Sequence, residues 1–135
     1  MDESYQLLFL KTKEYYFSIR KVRCPLLNNE WVYFSRKGFE HLIRKRRFLR
    51  PISDQIRRFY LLKYAKQVIE STKIYEYKNI KSFVKVRRNK QKVKEINIIQ
   101  FWTLSHHIHG HVIKVVIIQE GNGRKHFLSI MSGRK

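Results

Sequence analysis

The sequence predicts an α+β domain in which two helices pack on one face of an antiparallel sheet of about four strands. Apolar residues recur every three or four positions within residues 35–71, which is the period of a helix. Within residues 73–131 they alternate or form short β-rich runs between turn residues. Helices followed by strands, with no repeat or linker, indicate a single domain over residues 1–135.

Residues 1–30 form an extension that precedes the predicted helices. Within it, the aromatic run at 15–19 favours a strand, and residues 7–13 suit a helix. Pro25 marks a turn, and residues 31–34 are a short β-prone run that leads into the first helix.

The two predicted helices have recognisable ends. Ser35 is a suitable cap for the first helix, and Pro51 ends it because proline has no amide hydrogen. Ser53 and Asp54 start the second helix, which should run to about Ser71.

The predicted sheet is a meander. Residues 111–119 are apolar on both faces, which indicates a central strand. Residues 120–123 are typical of a tight hairpin. The other expected strands lie at 74–77, 82–86, 93–104 and 125–131, with turns at 88–91 and 105–110 and a basic tail at 132–135.

The chain is strongly basic. It has 30 Lys and Arg against 10 Asp and Glu, a formal charge of +20. Such an excess favours a polyanionic partner, because each contacted phosphate releases counterions. A hydrophobic content of 43% excludes a disordered basic tail. Two basic clusters, at 35–50 and 81–94, therefore predict a surface that binds RNA or DNA. The expected contact residues in the clusters are Arg44, Lys45, Arg46, Arg47, Arg50, Lys85, Arg87, Arg88 and Lys90. Lys114, on the strand before the last one, is expected to contribute as well.

The compartment expected from composition is the cytoplasm. Cys24 is the only cysteine, so no internal disulfide is expected. The N-terminus is acidic and does not have the pattern of a secretory signal. No apolar run approaches the ~20 residues of a membrane span, and no membrane partner is expected.

The last hairpin carries the main candidate for chemistry. Strand alternation places Arg124 and His126 on the open face of the sheet, if Phe127 belongs to the core. Metal-free RNA cleavage needs a base, an acid and a cation, which these two residues and His41 would supply. The alternative is that His126 is an ordinary strand residue and Arg124 part of a charged turn. His41 is equally consistent with a helix-surface histidine and with a catalytic group.

The cluster His106, His107, His109 and His111 invites a zinc interpretation. No Cys, Asp or Glu lies nearby to complete a site, and Gly110 suggests a turn that would separate the imidazoles. There is also no Gly-rich phosphate loop. We therefore expect no metal and no cofactor.

Two segments carry a resemblance. Val-Tyr-Phe-Ser-Arg-Lys-Gly-Phe-Glu-His-Leu-Ile at 32–43 and Gly-Arg-Lys-His-Phe-Leu-Ser-Ile-Met at 123–131, in a layout of helices then strands, resemble the barnase, EndoU, colicin-ribonuclease and RelE-like group of small ribonuclease toxins. The resemblance covers about residues 30–131. It implies catalytic groups on a helix and on the last strands, which by position are His41, Arg124, His126 and Ser129. Ser129 falls on the opposite strand face from His126 unless a bulge intervenes.

The expected function is metal-independent endoribonuclease activity by 2′-OH transesterification, in a toxin of a toxin–antitoxin or phage-derived system. A toxin implies an acidic antitoxin protein as partner, besides RNA. The alternative is a non-catalytic RNA- or DNA-binding module, for instance one associated with the ribosome. A third interpretation, an antitoxin or adaptor, is disfavoured because the chain has no acidic or disordered arm.

Overall fold

The chain folds as an α+β structure, as predicted. The computed structural model describes residues 3–133, and of residues 82–86 and 88 only the backbone is described. The elements, in chain order, are α1 (Glu3–Ile19), β1 (Lys21–Cys24), β2 (Glu30–Tyr33), α2 (Arg36–Ile43), β3 (Arg44–Lys45), β4 (Phe48–Leu49), α3 (Ile52–Leu61), α4 (Ala65–Ser71), β5 (Ile74–Arg88), β6 (Gln91–Ile108), β7 (His111–Glu120) and β8 (Lys125–Gly133). A 3₁₀ turn at Leu62–Tyr64 joins α3 to α4, so these two form one helical segment.

Six strands form one mixed sheet in the order β1-β2-β8-β7-β6-β5. The sheet differs in detail from the predicted antiparallel sheet of about four strands, because the β1–β2 hairpin also joins it. This hairpin pairs with β8 in parallel, through Val32 beside Lys125 and Tyr33 beside His126. The other neighbours are antiparallel. β7 is an interior strand, as its apolar sequence predicted.

The strand predicted at 15–19 was also wrong, because this run is the last part of helix α1. Its side chains Tyr5, Thr12 and Tyr16 form a buried helical face. Tyr16 is fully buried, and its hydroxyl donates a hydrogen bond to the carbonyl oxygen of Ser35 at 2.6 Å. Packing of this face on the core outweighs the local β preference of the aromatic run.

Helix α2 is shorter than predicted. It ends at Ile43, not at Pro51, and the next residues form the small β3–β4 hairpin. Arg46 occupies the turn of this hairpin with a left-handed φ of 59°. Pro51 instead precedes α3, where its fixed φ suits a helix start. The end of the second helical segment at Ser71 is confirmed.

The strands predicted at 74–77 and 82–86 are one continuous strand, β5. It pairs with β6 over its whole length, whereas β7 pairs with β6 only from Ile99 onward. Residues 81–98 therefore form a two-stranded hairpin that projects about 25 Å beyond the sheet. We call this hairpin the basic arm, since it contains the second cationic cluster.

The two faces of the sheet differ. One face carries fully buried residues such as Val115, Ile117 and Phe127, which form the core with the helices. Directly paired residues point to the same side of a sheet. His126 and Ile118 are paired, and each is next in sequence to a core residue, Phe127 or Ile117, so both point to the other side of the sheet. Tyr33 is paired with His126 and points to the same side, which we call the open face.

Candidate functional site

A pocket of about 260 Å³ surrounds His126 on the open face. Strand β8 positions His126 by alternation, because Phe127 next to it is held in the core. The start of helix α2 forms the opposite wall. The lining residues are Ser35, Lys37, Ile118, Glu120, Gly123, Arg124 and His126.

Gly38 allows α2 to lie directly against β8. A Cβ atom on Gly38 would overlap the carbonyl oxygen of Phe127 and the hydroxyl of Tyr16, and would lie 2.8 Å from Cδ1 of Phe127. The missing side chain therefore sets the distance between helix and strand. As a result the preceding residue, Lys37, reaches across to pair with Glu120 at the end of β7.

The imidazole of His126 is held in its neutral form. Burial lowers its pKa below the usual value, and the positive charges of Lys37 and Arg124 lower it further, opposed by Glu120. Its Nδ1 atom is buried and has no hydrogen-bond partner among the described residues. A neutral imidazole at physiological pH is able to accept a proton, so the pocket contains a suitable general base.

Two cations stand at the mouth of this pocket. Lys37 forms its ion pair with Glu120 while both side chains remain about half exposed. Arg124 is exposed, and its guanidinium carbon lies 4.6 Å from the ring centre of Tyr33. Both cations are free to move to an incoming phosphate, since exposed ion pairs and cation–π contacts are weak.

His41 does not line this pocket. It lies one helical turn beyond Lys37 and contacts Arg50, whose Nε donates to the His41 carbonyl oxygen at 2.9 Å. Nη2 of Arg50 lies 3.3 Å from Nδ1 of His41. Burial, followed by the charges of Arg50 and Arg58, lowers the pKa of His41 to about 4. At neutral pH its uncharged ring therefore accepts a hydrogen bond from the Arg50 guanidinium, which holds the end of α2 against the segment that leads into α3.

A β-bulge in β8 places Ser129 on the same face of the sheet as His126. The register with β7 shifts between Phe127 and Ser129 and skips Leu128. The bulge thus cancels the alternation that would have placed Ser129 on the core side.

Ser129 is nevertheless engaged in a structural contact. It is only 2% exposed, and its hydroxyl accepts a hydrogen bond from Nη1 of Arg58 at 3.0 Å. The same nitrogen donates to the Ile130 carbonyl oxygen at 2.8 Å, and Nε of Arg58 lies 3.3 Å from Asp54. Arg58 therefore anchors α3 to β8, a role that its position in the sequence did not reveal.

The first basic cluster divides in two. Arg50 is 8% exposed and is bound to His41 and Asp54, so it does not face solvent. The remaining members of the predicted set are exposed on the β3–β4 hairpin: Arg44, Lys45, Arg46 and Arg47.

The second cluster lies on the basic arm. Arg87 and Lys90 are exposed there, and the side chains of Lys85 and Arg88 lie outside the described residues. Lys114 is half-buried on the open face, opposite Met131. It is four residues along β7 from Ile118, about 13 Å from the His126 pocket.

The four histidines at 106–111 do not converge. His109 and Gly110 form the β6–β7 turn, both with positive φ, so His109 lies in the turn while His106, His107 and His111 lie on the paired strands. Within residues 3–133 there is no group of three or more His, Cys, Asp or Glu side chains placed to hold a metal ion. Among the helices described, none combines the length and apolar character needed to cross a membrane.

Sequence reasoning located Arg124 and His126 but missed two partners in the pocket. Lys37 was counted only as part of a basic cluster, and Glu120 only as a turn residue. The signal that could have identified Lys37 is its position next to Gly38, because a glycine in a helix permits close contact with a strand.

The fold and the pocket define a basic α+β protein with a neutral histidine between two exposed cations. Comparison with protein-family models, curated proteins and solved structures found no match for this chain.

Proposed function

We propose that this protein is a metal-independent endoribonuclease that cleaves RNA by 2′-OH transesterification. The observation that carries the proposal is the neutral, partly buried His126 in a pocket whose mouth holds Lys37 and Arg124. A base next to two cations is what attack of a ribose hydroxyl on its own phosphate requires.

His126 takes the proton of the 2′-OH, and the oxygen attacks phosphorus to form a 2′,3′-cyclic phosphate. The bond from phosphorus to the 5′-oxygen breaks, and the leaving oxygen takes a proton from the Lys37 ammonium. Arg124 holds the non-bridging oxygens, whose negative charge grows in the transition state. Solvent then restores both protonation states.

His41 and Ser129 act outside the reacting groups in this scheme. The contacts of His41 with Arg50, and of Ser129 with Arg58, support a role in positioning α2 and α3 beside β8. Phosphates that flank the cleaved bond would be held by the exposed cations of the β3–β4 hairpin and of the basic arm.

The test is incubation of RNA with the pure protein in EDTA, followed by analysis of product ends. We expect 2′,3′-cyclic phosphate ends. His126→Ala and Lys37→Gln should each lower the cleavage rate by about 100-fold or more. His107→Ala, which changes an exposed histidine of β6, is the matched control and should retain full activity. RNA that survives at low salt, or full activity in His126→Ala, would refute the proposal.

A second candidate function is RNA binding without cleavage. It is favoured by the cation–π contacts on the open face, which suit stacking of bases and need no chemistry. Tight, salt-sensitive binding with intact RNA would identify this function instead.

We extend the proposal to a toxin with an acidic antitoxin. An apolar groove of about 360 Å³ lies between α1 and the β3–β4 hairpin, lined by residues such as Phe9, Leu10 and Leu49. The exposed cations of the hairpin lie beside it, so an acidic amphipathic segment would complement both features. Induced expression should arrest growth and His126→Ala should abolish the arrest. Normal growth at equal expression of the unmodified protein would refute the toxin role.

A further inference from the structure

The open face beside the His126 pocket carries alternating cations and aromatic rings. Strand β1 contributes two cations, β2 contributes two rings, and β8 contributes an imidazole; a third cation stands on the residue that precedes β8. The strand registers place Lys21, Tyr33 and His126 side by side in one cross-strand row, and Arg23 beside Trp31 in a second row. We call this set the aromatic ladder; its members are Lys21, Arg23, Trp31, Tyr33, Arg124 and His126.

Close contacts join the ladder. Nζ of Lys21 lies 4.4 Å and Cζ of Arg23 lies 4.1 Å from the ring centre of Trp31. On the other side, Cζ of Arg124 lies 4.6 Å from the ring centre of Tyr33. The rings are half-buried and fixed by the sheet, whereas the three cations are exposed on long side chains.

The ladder continues directly into the proposed active site. A second cavity of about 250 Å³ is lined by Trp31 and Tyr33 and shares Gly123 and Arg124 with the His126 pocket. The ring of Tyr33 lies 6.3 Å from that of His126, centre to centre. A group on the rings would therefore be next to a phosphate at His126.

We propose that the aromatic ladder binds unpaired nucleobases of single-stranded RNA adjacent to the phosphate at His126. This inference rests on the proposed function, since it assigns the substrate class of the same site. A base stacks on an aromatic ring more strongly than an exposed cation does. A base thus displaces the cations from the rings, and these are then available to the neighbouring phosphates. A duplex has no free base faces, so it engages only the cations.

The experiment separates binding from cleavage. The probe is an octamer of 2′-O-methyluridine, which has no 2′-OH to react. Its affinity is measured by the anisotropy of a 5′-fluorescein label, which does not depend on tryptophan, and polyphosphate affinity is measured by displacement of this labelled octamer. Contact of the unlabelled octamer with Trp31 is followed by tryptophan emission. The chain has two tryptophans, and the other one, Trp102, is only 8% exposed in the core. The comparison probes are the same octamer in a duplex and inorganic polyphosphate.

We expect the single strand to quench the emission and the duplex to leave it unchanged. Trp31→Leu should weaken single-strand binding about tenfold and leave polyphosphate binding unchanged, while Trp31→Phe should keep most of the affinity. Tyr60→Leu, at an exposed ring on α3, is the matched control and should have no effect.

Equal quenching by the duplex, or unchanged octamer affinity in Trp31→Leu, would overturn the inference. Failure of the two proposals is distinguishable. Quenching without RNA cleavage would refute the nuclease and keep the ladder as a binding site. Cleavage without quenching would refute the ladder alone.

Discussion

Substitution of Gly38 by alanine tests whether the contact between α2 and β8 sets the geometry of the pocket. In an unconstrained helix this change stabilises by at most about 1 kcal/mol, because alanine is the better helix former. Here the new Cβ would overlap the Phe127 carbonyl oxygen, which is backbone and cannot rotate away. It would also displace the Tyr16 hydroxyl from its 2.6 Å hydrogen bond to Ser35.

The two unfavourable contributions to the free energy of unfolding are larger than the gain in helix preference. Overpacking against a fixed backbone costs about 1–3 kcal/mol. Loss of the buried tyrosine hydrogen bond adds about 1 kcal/mol. After subtraction of the helix preference, Gly38→Ala should lower the free energy of unfolding by about 2 kcal/mol. For a chain of this length that is roughly 6–10 °C in Tm.

The assay is thermal and urea unfolding followed by circular dichroism, with Gly133→Ala as the matched control. At Gly133 the new Cβ would meet only the flexible end of Lys114, at 2.9 Å from Cε, so Tm should change little. RNA cleavage should also fall in Gly38→Ala, because a displaced α2 withdraws Lys37 from His126. A Tm for Gly38→Ala equal to or above that of the parent would refute the reasoning.

Three further predictions concern other contacts. The pKa of His41 is about 4 in the fold against 6.5 unfolded. The unfolded chain thus binds more protons between these values, and stability should fall by up to about 3 kcal/mol as pH drops from 6.5 to 4. Urea unfolding across that range should show a flatter profile for His41→Gln, and an identical profile would contradict the assignment. Arg58→Met should lower the free energy of unfolding, measured with urea, by about 2–4 kcal/mol, because several buried groups lose their hydrogen-bond partner. Ser129→Ala should lower it by only about 1 kcal/mol, and equal costs would argue against Arg58 as an anchor. Replacing Arg87 and Lys90 together by glutamine should reduce the salt slope of single-stranded RNA binding by about 1.4, measured by anisotropy, and an unchanged slope would remove the basic arm from the interface.

Local signals in the sequence were sufficient for part of this fold. The apolar run of β7 and the tight turn at 120–123 specify the last hairpin, because a short loop leaves its strands little choice of partner. Alternation then put His126 and Arg124 on the open face. The β3–β4 hairpin had no such signal, since its left-handed turn residue is Arg46 and not a glycine or asparagine.

Non-local pairing accounts for most of the rest. The parallel contact of Val32 and Tyr33 with β8 joins segments that are far apart in the chain, and no local pattern encodes it. The bulge at Leu128 contains no glycine, yet it decides the face of Ser129. For the same reason the pairing of Lys37 with Glu120 was not predictable, because it depends on where α2 comes to rest.

The position of β8 between β2 and β7 has a consequence for synthesis on the ribosome. The β1–β2 hairpin is joined to the remaining strands of the sheet through β8 alone. A nascent chain that has not yet released residues 125–133 from the exit tunnel therefore lacks the strand that brings Tyr33 beside His126. The pocket therefore cannot form before this strand has left the tunnel.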